Sequence, residues 1–168
     1  TRFAGVTGVQ TCALPISSSP FTSSERRIID CAVRTLEKYL RKTGEAFTTS
    51  AYAKNWVRLQ FANLDREVFT VLYLDNQNRF LDKETLFLGT VNHTEIHPRE
   101  IVKGALRHNA AAIILAHNHP SGCTVPSESD KAITRKIIQA LALLEIRVLD
   151  HFIIGTHDVL SFAEHGLM

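Results

Sequence analysis

The sequence predicts an α/β (α+β) sandwich: helices and strands mixed around one sheet. Three observations lead there. The chain has 168 residues, 45% hydrophobic and 21% charged, which suits one globular domain with a real core. Its hydrophobic period switches repeatedly between helical and strand spacing, in the order ααβββαβαββ. No internal repeat interrupts that order, so the elements are expected to share one sheet.

Residues 1–20 stand apart. TRFAGVTGVQTCALPISSSP has neither period and ends in a Ser/Pro cluster. GVTGVQTCALPI resembles the translation of a sequencing adapter, so this leader is expected to be artefactual or disordered and is excluded from the fold. Cys12 then carries no meaning.

A helical segment follows over 22–64. TSSERRIIDCAVRTLEKYLRKTG opens on Ser/Thr caps and sets Ile28, Ile29, Ala32, Val33, Leu36, Tyr39 and Leu40 on one stripe. Gly44 suits its end. A second helix fits 50–62, with Tyr52, Trp56, Leu59, Gln60 and Phe61 on or near its apolar side. The main domain is expected over 65–168. VFTVLYLD (Val68–Asp75) is β-branched and aromatic, a strand. DNQNR is turn chemistry, and FLDKETLFLGT continues as one or two strands. HPREIVKGALRHN is a helix with Pro98 in its first turn and Ile101, Val102, Ala105 and Leu106 inward. AAAIILAHN is a buried strand. SESDKAITRKIIQALALLEI is a long helix capped by Ser127 or Ser129. RVLDHFIIG and DVLSFAEHG close the sheet.

Charge excludes some classes. The net charge of +2 is too mild to argue for nucleic-acid binding. The densest cationic stretch, Glu25–Lys42, is interrupted by Glu25, Asp30 and Glu37 and reads as a solvated helix face. No apolar run approaches the roughly eighteen residues of a membrane span. Three cysteines lack framework spacing and no signal peptide is evident, so a reduced cytoplasmic location is expected.

The chemistry concentrates in HNHPSGCTVPSESD (His117–Asp130). His117 and His119 are two apart at a strand end, so both imidazoles face one point. Pro120 stops the strand and Gly122 lets the chain turn. Asp130 arrives eleven residues after His119, in the first turn of the long helix. Two imidazoles and one carboxylate, with a fourth position open, is the composition of a catalytic zinc site. Such an ion would lower the pKa of bound water to about 7 and polarise a carbonyl. A nearby carboxylate would then move protons. Ser127 either caps the helix or points at the reacting oxygen. The bland reading of the histidines, two polar loop residues, would win for one histidine alone but not for this pair with Asp130.

These residues resemble a known pattern. His117-Asn118-His119-Pro120, then six residues, then Ser127-Glu128-Ser129-Asp130 matches the JAMM (MPN-plus) metalloprotease motif. The flanks LFLGTVNHTEIHPREIVKGAL, RVLDHFIIG and FAEHG are similar to the RadC family, and within it to the short prophage and genomic-island proteins of the YeeS group. The resemblance covers about Thr22 to Met168. It implies a JAB/MPN fold, a mixed sheet flanked by helices as in cytidine deaminases. It implies Zn2+ on His117, His119 and Asp130, and hydrolysis of a peptide or isopeptide bond in an unknown protein substrate, with Ser127 stabilising the reacting oxygen. The motif also needs an upstream glutamate as general acid/base. Glu67, just before a strand, is the choice, with Glu95 and Glu100 as rivals.

The helix-hairpin-helix region usual in longer RadC proteins is not seen, so a DNA-repair role has little support. Cys123 lies near the pair and could close the fourth position, though a small loop residue is the simpler reading. His151, next to Asp150, could support the metal from behind, whereas His97 and His108 read as caps or surface. The letters His-Asn-His are contiguous here and do not make an HNH nuclease. A zinc deaminase would need Pro-Cys-x-x-Cys ligands, which are lacking. The alternative to a hydrolase is a non-catalytic, metal-stabilised binding module linked to DNA repair or mobile-element biology.

Overall fold

The fold is taken from a computed structural model of the full chain, which describes residues 21–43, 46–47, 49–61, 64, 66–88 and 96–168. The expected leader, 1–20, and the expected helix end at Gly44 lie outside the described residues. The elements are α1 (Ser23–Thr43), α2 (Ser50–Phe61), β1 (Val68–Leu74), β2 (Phe80–Leu88), α3 (Pro98–Arg107), β3 (Ala112–Asn118), α4 (Glu128–Ala142), β4 (Arg147–Ile154) and β5 (Val159–Ser161). FLDKETLFL forms one strand, so among the described residues two strands precede α3.

The five strands lie in the order β2-β1-β3-β4-β5. β1 is antiparallel to β2 and β3, and β5 is antiparallel to β4. β3 and β4 are parallel. Parallel neighbours need a crossover, and α4 supplies it. The sheet is therefore mixed, as in an α/β JAB-type fold.

β1 and β3 are buried on both faces, which is why they read as continuous apolar runs rather than alternating ones. Their even-numbered residues (Val68, Leu72, Leu74, Ala112, Ile114, Ala116) join Leu40 of α1 and Trp56, Val57 and Phe61 of α2 in one core cluster. Their odd-numbered residues (Phe69, Val71, Tyr73, Ile113, Leu115) join Ile101 and Ala105 of α3 and Ile137 and Leu141 of α4 in a second. Two helical layers thus sandwich the sheet.

In β4 the alternation breaks. Ile113 is opposite Val148 but Ile114 is opposite Asp150. Leu149 is the extra residue of a β-bulge, which reverses the facing of everything after it. Val148 packs with the α3–α4 layer and Leu149 with the α2 layer. Beyond the bulge the odd-numbered residues turn to α4, and His151 is one of them.

Two apolar faces bury differently from what their period alone suggests. The α1 stripe does not bury: Ile28 is 68% and Tyr39 56% exposed, and of that stripe Leu40 enters the core. α1 meets the body through Leu40, an Arg41–Asp82 ion pair and a Glu37–Lys83 ion pair at 2.6 Å, and most of its residues are exposed. Leu106 was expected inward and is 59% exposed. The inward stripe of the short helix α3 runs through Ile101, Gly104 and Ala105 instead.

Gly104 lets α3 approach the sheet. A Cβ there would fall 1.9 Å from the Tyr73 hydroxyl oxygen. That hydroxyl donates to Glu84 at 3.2 Å, and Glu84 also takes Arg107 at 2.6 Å and His108 at 2.8 Å from the end of α3. In an isolated helix Gly→Ala is stabilising by about 1 kcal/mol. Here overpacking wins, and Gly104→Ala should destabilise by about 1–3 kcal/mol, measured by urea unfolding. A gain in stability would contradict this packing.

Candidate metal centre

The site lies at the carboxyl end of β3, where strand backbone gives way to turn and helix. The odd face of β3 continues through His117 into His119. His119 donates its amide to Ile154 O at 3.0 Å, which holds it beside the end of β4. Pro120 follows. Gly122 adopts φ 77°, a left-handed turn that glycine allows at low cost. Gly122 and Gly155 also approach closely: a Cβ on Gly155 would sit 2.4 Å from the Gly122 carbonyl oxygen. The loop is thereby seated on the β4–β5 turn and returns to start α4.

α4 begins with a reciprocal cap. The Ser127 hydroxyl accepts from Asp130 N–H at 3.1 Å, and the Asp130 carboxylate accepts from Ser127 N–H at 2.7 Å. This satisfies two backbone donors at the helix start and fixes the acid's rotamer. The helix N-terminus also favours the negative charge. The Ser127 hydroxyl hydrogen goes to Asp130 Oδ2 at 2.6 Å. Ser127, rather than Ser129, is therefore the cap, and its hydroxyl lies against a predicted ligand.

His117, His119 and Asp130 each offer one ligand atom, and those atoms lie within 4.8 Å of one another. His117 Nε2 is 3.0 Å from His119 Nε2 and 3.4 Å from Asp130 Oδ1. His119 Nε2 is 3.6 Å from Asp130 Oδ2. His119 Nδ1 is 2.7 Å from the Cys123 carbonyl oxygen. A carbonyl only accepts, so Nδ1 carries the proton and a neutral His119 turns its Nε2 lone pair to the cluster. Electron-rich atoms this close repel unless a proton or a cation lies among them. Two imidazole nitrogens and one carboxylate oxygen fit a divalent ion of the zinc type. Among the described residues this is the one group of three or more such side chains able to hold a metal.

The electrostatics agree with a pre-formed set. Burial, with His119 nearby, pushes His117 down to about 4 against the pull of Asp130. The Asp130 carboxylate, 3.6 Å away, raises His119 above its ordinary value despite burial, helped by the Cys123 carbonyl and by the charge of Glu67. Burial would raise Asp130, but the nearby His119 and His117 rings and the hydrogen bonds from Ser127 outweigh it and hold the carboxyl well below the usual range. His117 is 2% exposed, whereas His119 and Asp130 keep 19% and 15%, so the cluster opens on their side.

Glu67 precedes β1, whose Phe69 pairs with His117 across the sheet and stacks on its ring at 5.9 Å. Extended backbone sends side chains two apart to the same face, so Glu67 continues the face of Phe69 toward the cluster. A residue that sequence reasoning passed over holds it there. Asn118, between the two histidines, points to the opposite face. Its Oδ1 accepts from Val68 N–H at 2.8 Å and its Nδ2 donates to the Arg66 carbonyl at 2.9 Å. The backbone on either side of Glu67 is thus pinned to the strand that carries both histidines. The strand alternation of His-Asn-His, which sends the amide away from the rings, was the available signal.

The rivals stand elsewhere. Glu100 is taken up in the first turn of α3 by Lys103 at 3.0 Å and Arg99 at 3.4 Å. Glu95 lies outside the described residues. Cys123 is exposed, contributes its carbonyl to His119, and its thiol is not part of the cluster. His151 is fully buried behind His117, with its Nε2 2.8 Å from His117 Nδ1.

Comparison with known proteins agrees with this picture. Residues 47–167 match the family described as RadC-like JAB domain. The chain is 55% identical over 147 residues to UPF0758 protein YkfG of Escherichia coli (strain K12), covering 88% of this chain and 93% of that protein. It is 54% identical over 147 residues to YeeS of the same strain, covering 88% and 99%. It is 50% identical over 159 residues to YfjY, covering 95% of each. No helix among the described residues is long and apolar enough to cross a membrane.

Two outcomes are expected. A bound cation such as zinc and a proton would compete for His119, whose pKa is raised, while His117 near 4 adds no proton until far lower pH. Zinc affinity should therefore fall about tenfold per pH unit once pH drops below the His119 value. Chelator-buffered titrations from about pH 8 to about pH 5 check this, and a flat profile would contradict it. Asn118→Ala should lose about 1–3 kcal/mol by leaving Val68 N–H and the Arg66 carbonyl without these bonds. Urea unfolding measures it; a change within about 0.5 kcal/mol, as for an ordinary surface position, would contradict it.

Proposed function

This chain belongs to the RadC-like JAB domain family, and on that premise we propose that it is a zinc-dependent hydrolase of the JAMM type, cleaving a peptide or isopeptide bond. The convergence of His117, His119 and Asp130 on one point, open on one side, carries the reading. His117, His119 and Asp130 would hold the zinc ion, which would supply a water of lowered pKa and polarise a substrate carbonyl.

The chain's own groups do the rest. Glu67 accepts a proton as the water oxygen adds to the carbonyl carbon, and delivers it to the amine nitrogen as the C–N bond breaks. The electrostatic reach of Glu67 to His119 supports this assignment. Ser127 stabilises the negative charge that develops on the carbonyl oxygen. Its hydroxyl is held by Asp130 at 2.6 Å, so this role requires it to turn from the carboxylate to the substrate. Asp130, with its carboxyl held far below neutrality, stays ionised at working pH.

Zinc content and cleavage of quenched-fluorescent peptides and isopeptides test the reading together. His117→Ala and Asp130→Ala should lose zinc and stay folded by circular dichroism. Glu67→Gln should keep zinc and lose cleavage by about 10²–10⁴-fold. Unfolding on loss of zinc would favour a metal-stabilised binding module instead, and undiminished cleavage by Glu67→Gln would remove Glu67 from the mechanism.

A further inference from the structure

Behind the metal cluster three contacts run in line. His117 Nδ1 lies 2.8 Å from His151 Nε2. His151 Nδ1 lies 2.7 Å from Thr134 Oγ1. Thr134 Oγ1 lies 2.6 Å from the backbone carbonyl oxygen of Asp130, one helical turn earlier. His151 and Thr134 are both 0% exposed, so water does not reach the line.

A chain of neutral imidazoles joined this way has two proton orders and no intermediate one. Its far end selects between them. The Asp130 carbonyl can only accept, and the Thr134 hydroxyl has one hydrogen, which goes there. The hydroxyl oxygen then accepts from His151 Nδ1–H. A neutral His151 has no second proton, so its Nε2 accepts from His117 Nδ1–H. Both rings are buried, His117 at 2% and His151 at 0% exposure, where carrying a second proton's charge would be costly.

We propose that Thr134 and His151 are positioning residues that fix the proton of His117 on Nδ1, turning its Nε2 lone pair toward His119 and Asp130. The inference rests on reading those three residues as metal ligands. In the reverse order His117 would carry a proton on Nε2, aimed into the space a cation needs. α4 therefore serves the site twice: Asp130 supplies the carboxylate, and Thr134, on the same inward stripe with Ile137 and Leu141, sets the ring that faces it. The β-bulge at Leu149 is what brings His151 into this line.

Thr134→Val keeps the shape and β-branching and removes the hydroxyl; Thr134→Ser keeps the hydroxyl. Zinc affinity by competition with a chelating dye should fall about 10–100-fold in Thr134→Val and His151→Phe, as for other outer-shell partners. Thr134→Ser should stay within about threefold of the unmodified chain. Imidazole nitrogen shifts in the zinc-free chain should show the proton on Nδ1 of both His117 and His151. Equal zinc affinity in Thr134→Val and Thr134→Ser, or a proton on His117 Nε2 in the unmodified chain, would overturn the proposal. The nitrogen shifts need no variant and no metal. A chain that binds no zinc would therefore refute the metal reading, while the proton order would still be judged on those shifts.

Discussion

Three electron-rich groups forced into one small volume are the constraint on which the site depends. His117 Nε2 and His119 Nε2 stand 3.0 Å apart with the Asp130 carboxylate beside them. In water such groups would separate. Here each is tied from behind: His117 by His151, His119 by the Cys123 carbonyl, and Asp130 by the hydroxyl and amide of Ser127. Side chains held in place this way would reduce the ordering that binding an ion requires.

The fold supplies those ties by placing unlike elements at one sheet edge. β3 delivers two rings to one face, the Gly122 turn seats the loop, and α4 starts with its acid in the capping position. β1, antiparallel to β3, begins where β3 ends, and so brings Glu67 to the same edge. The opposite face of β3 is equally committed, through Asn118. One strand end thus fixes the two imidazoles on one side and the backbone around Glu67 on the other.

Much of this was legible in the sequence. His-x-His followed by proline encodes strand alternation and its end, and Ser-x-x-Asp encodes a cap. Both are local, and the geometry follows from backbone period alone. What was hidden is non-local. The bulge at Leu149 leaves no mark in RVLDHFII, yet it turns His151 to the metal side. Thr134 reads as an ordinary helix residue until Asp130 is known to lie one turn above it. In α1 the apolar period is real, but period states which residues share a face, not whether anything covers it; Ile28 and Tyr39 remain exposed. Leu106 fell outside the core because the close approach at Gly104 rotates α3 onto Ile101 and Ala105.

Zinc-edge X-ray absorption on the zinc-loaded chain reads the atoms around the ion directly. A shell of nitrogen and oxygen atoms at about 2.0–2.2 Å is expected, with the multiple scattering of two imidazoles and no sulfur. A sulfur shell at about 2.3 Å would bring Cys123 onto the ion, and a shell without imidazole scattering would remove the histidines. Either result would contradict the proposed centre.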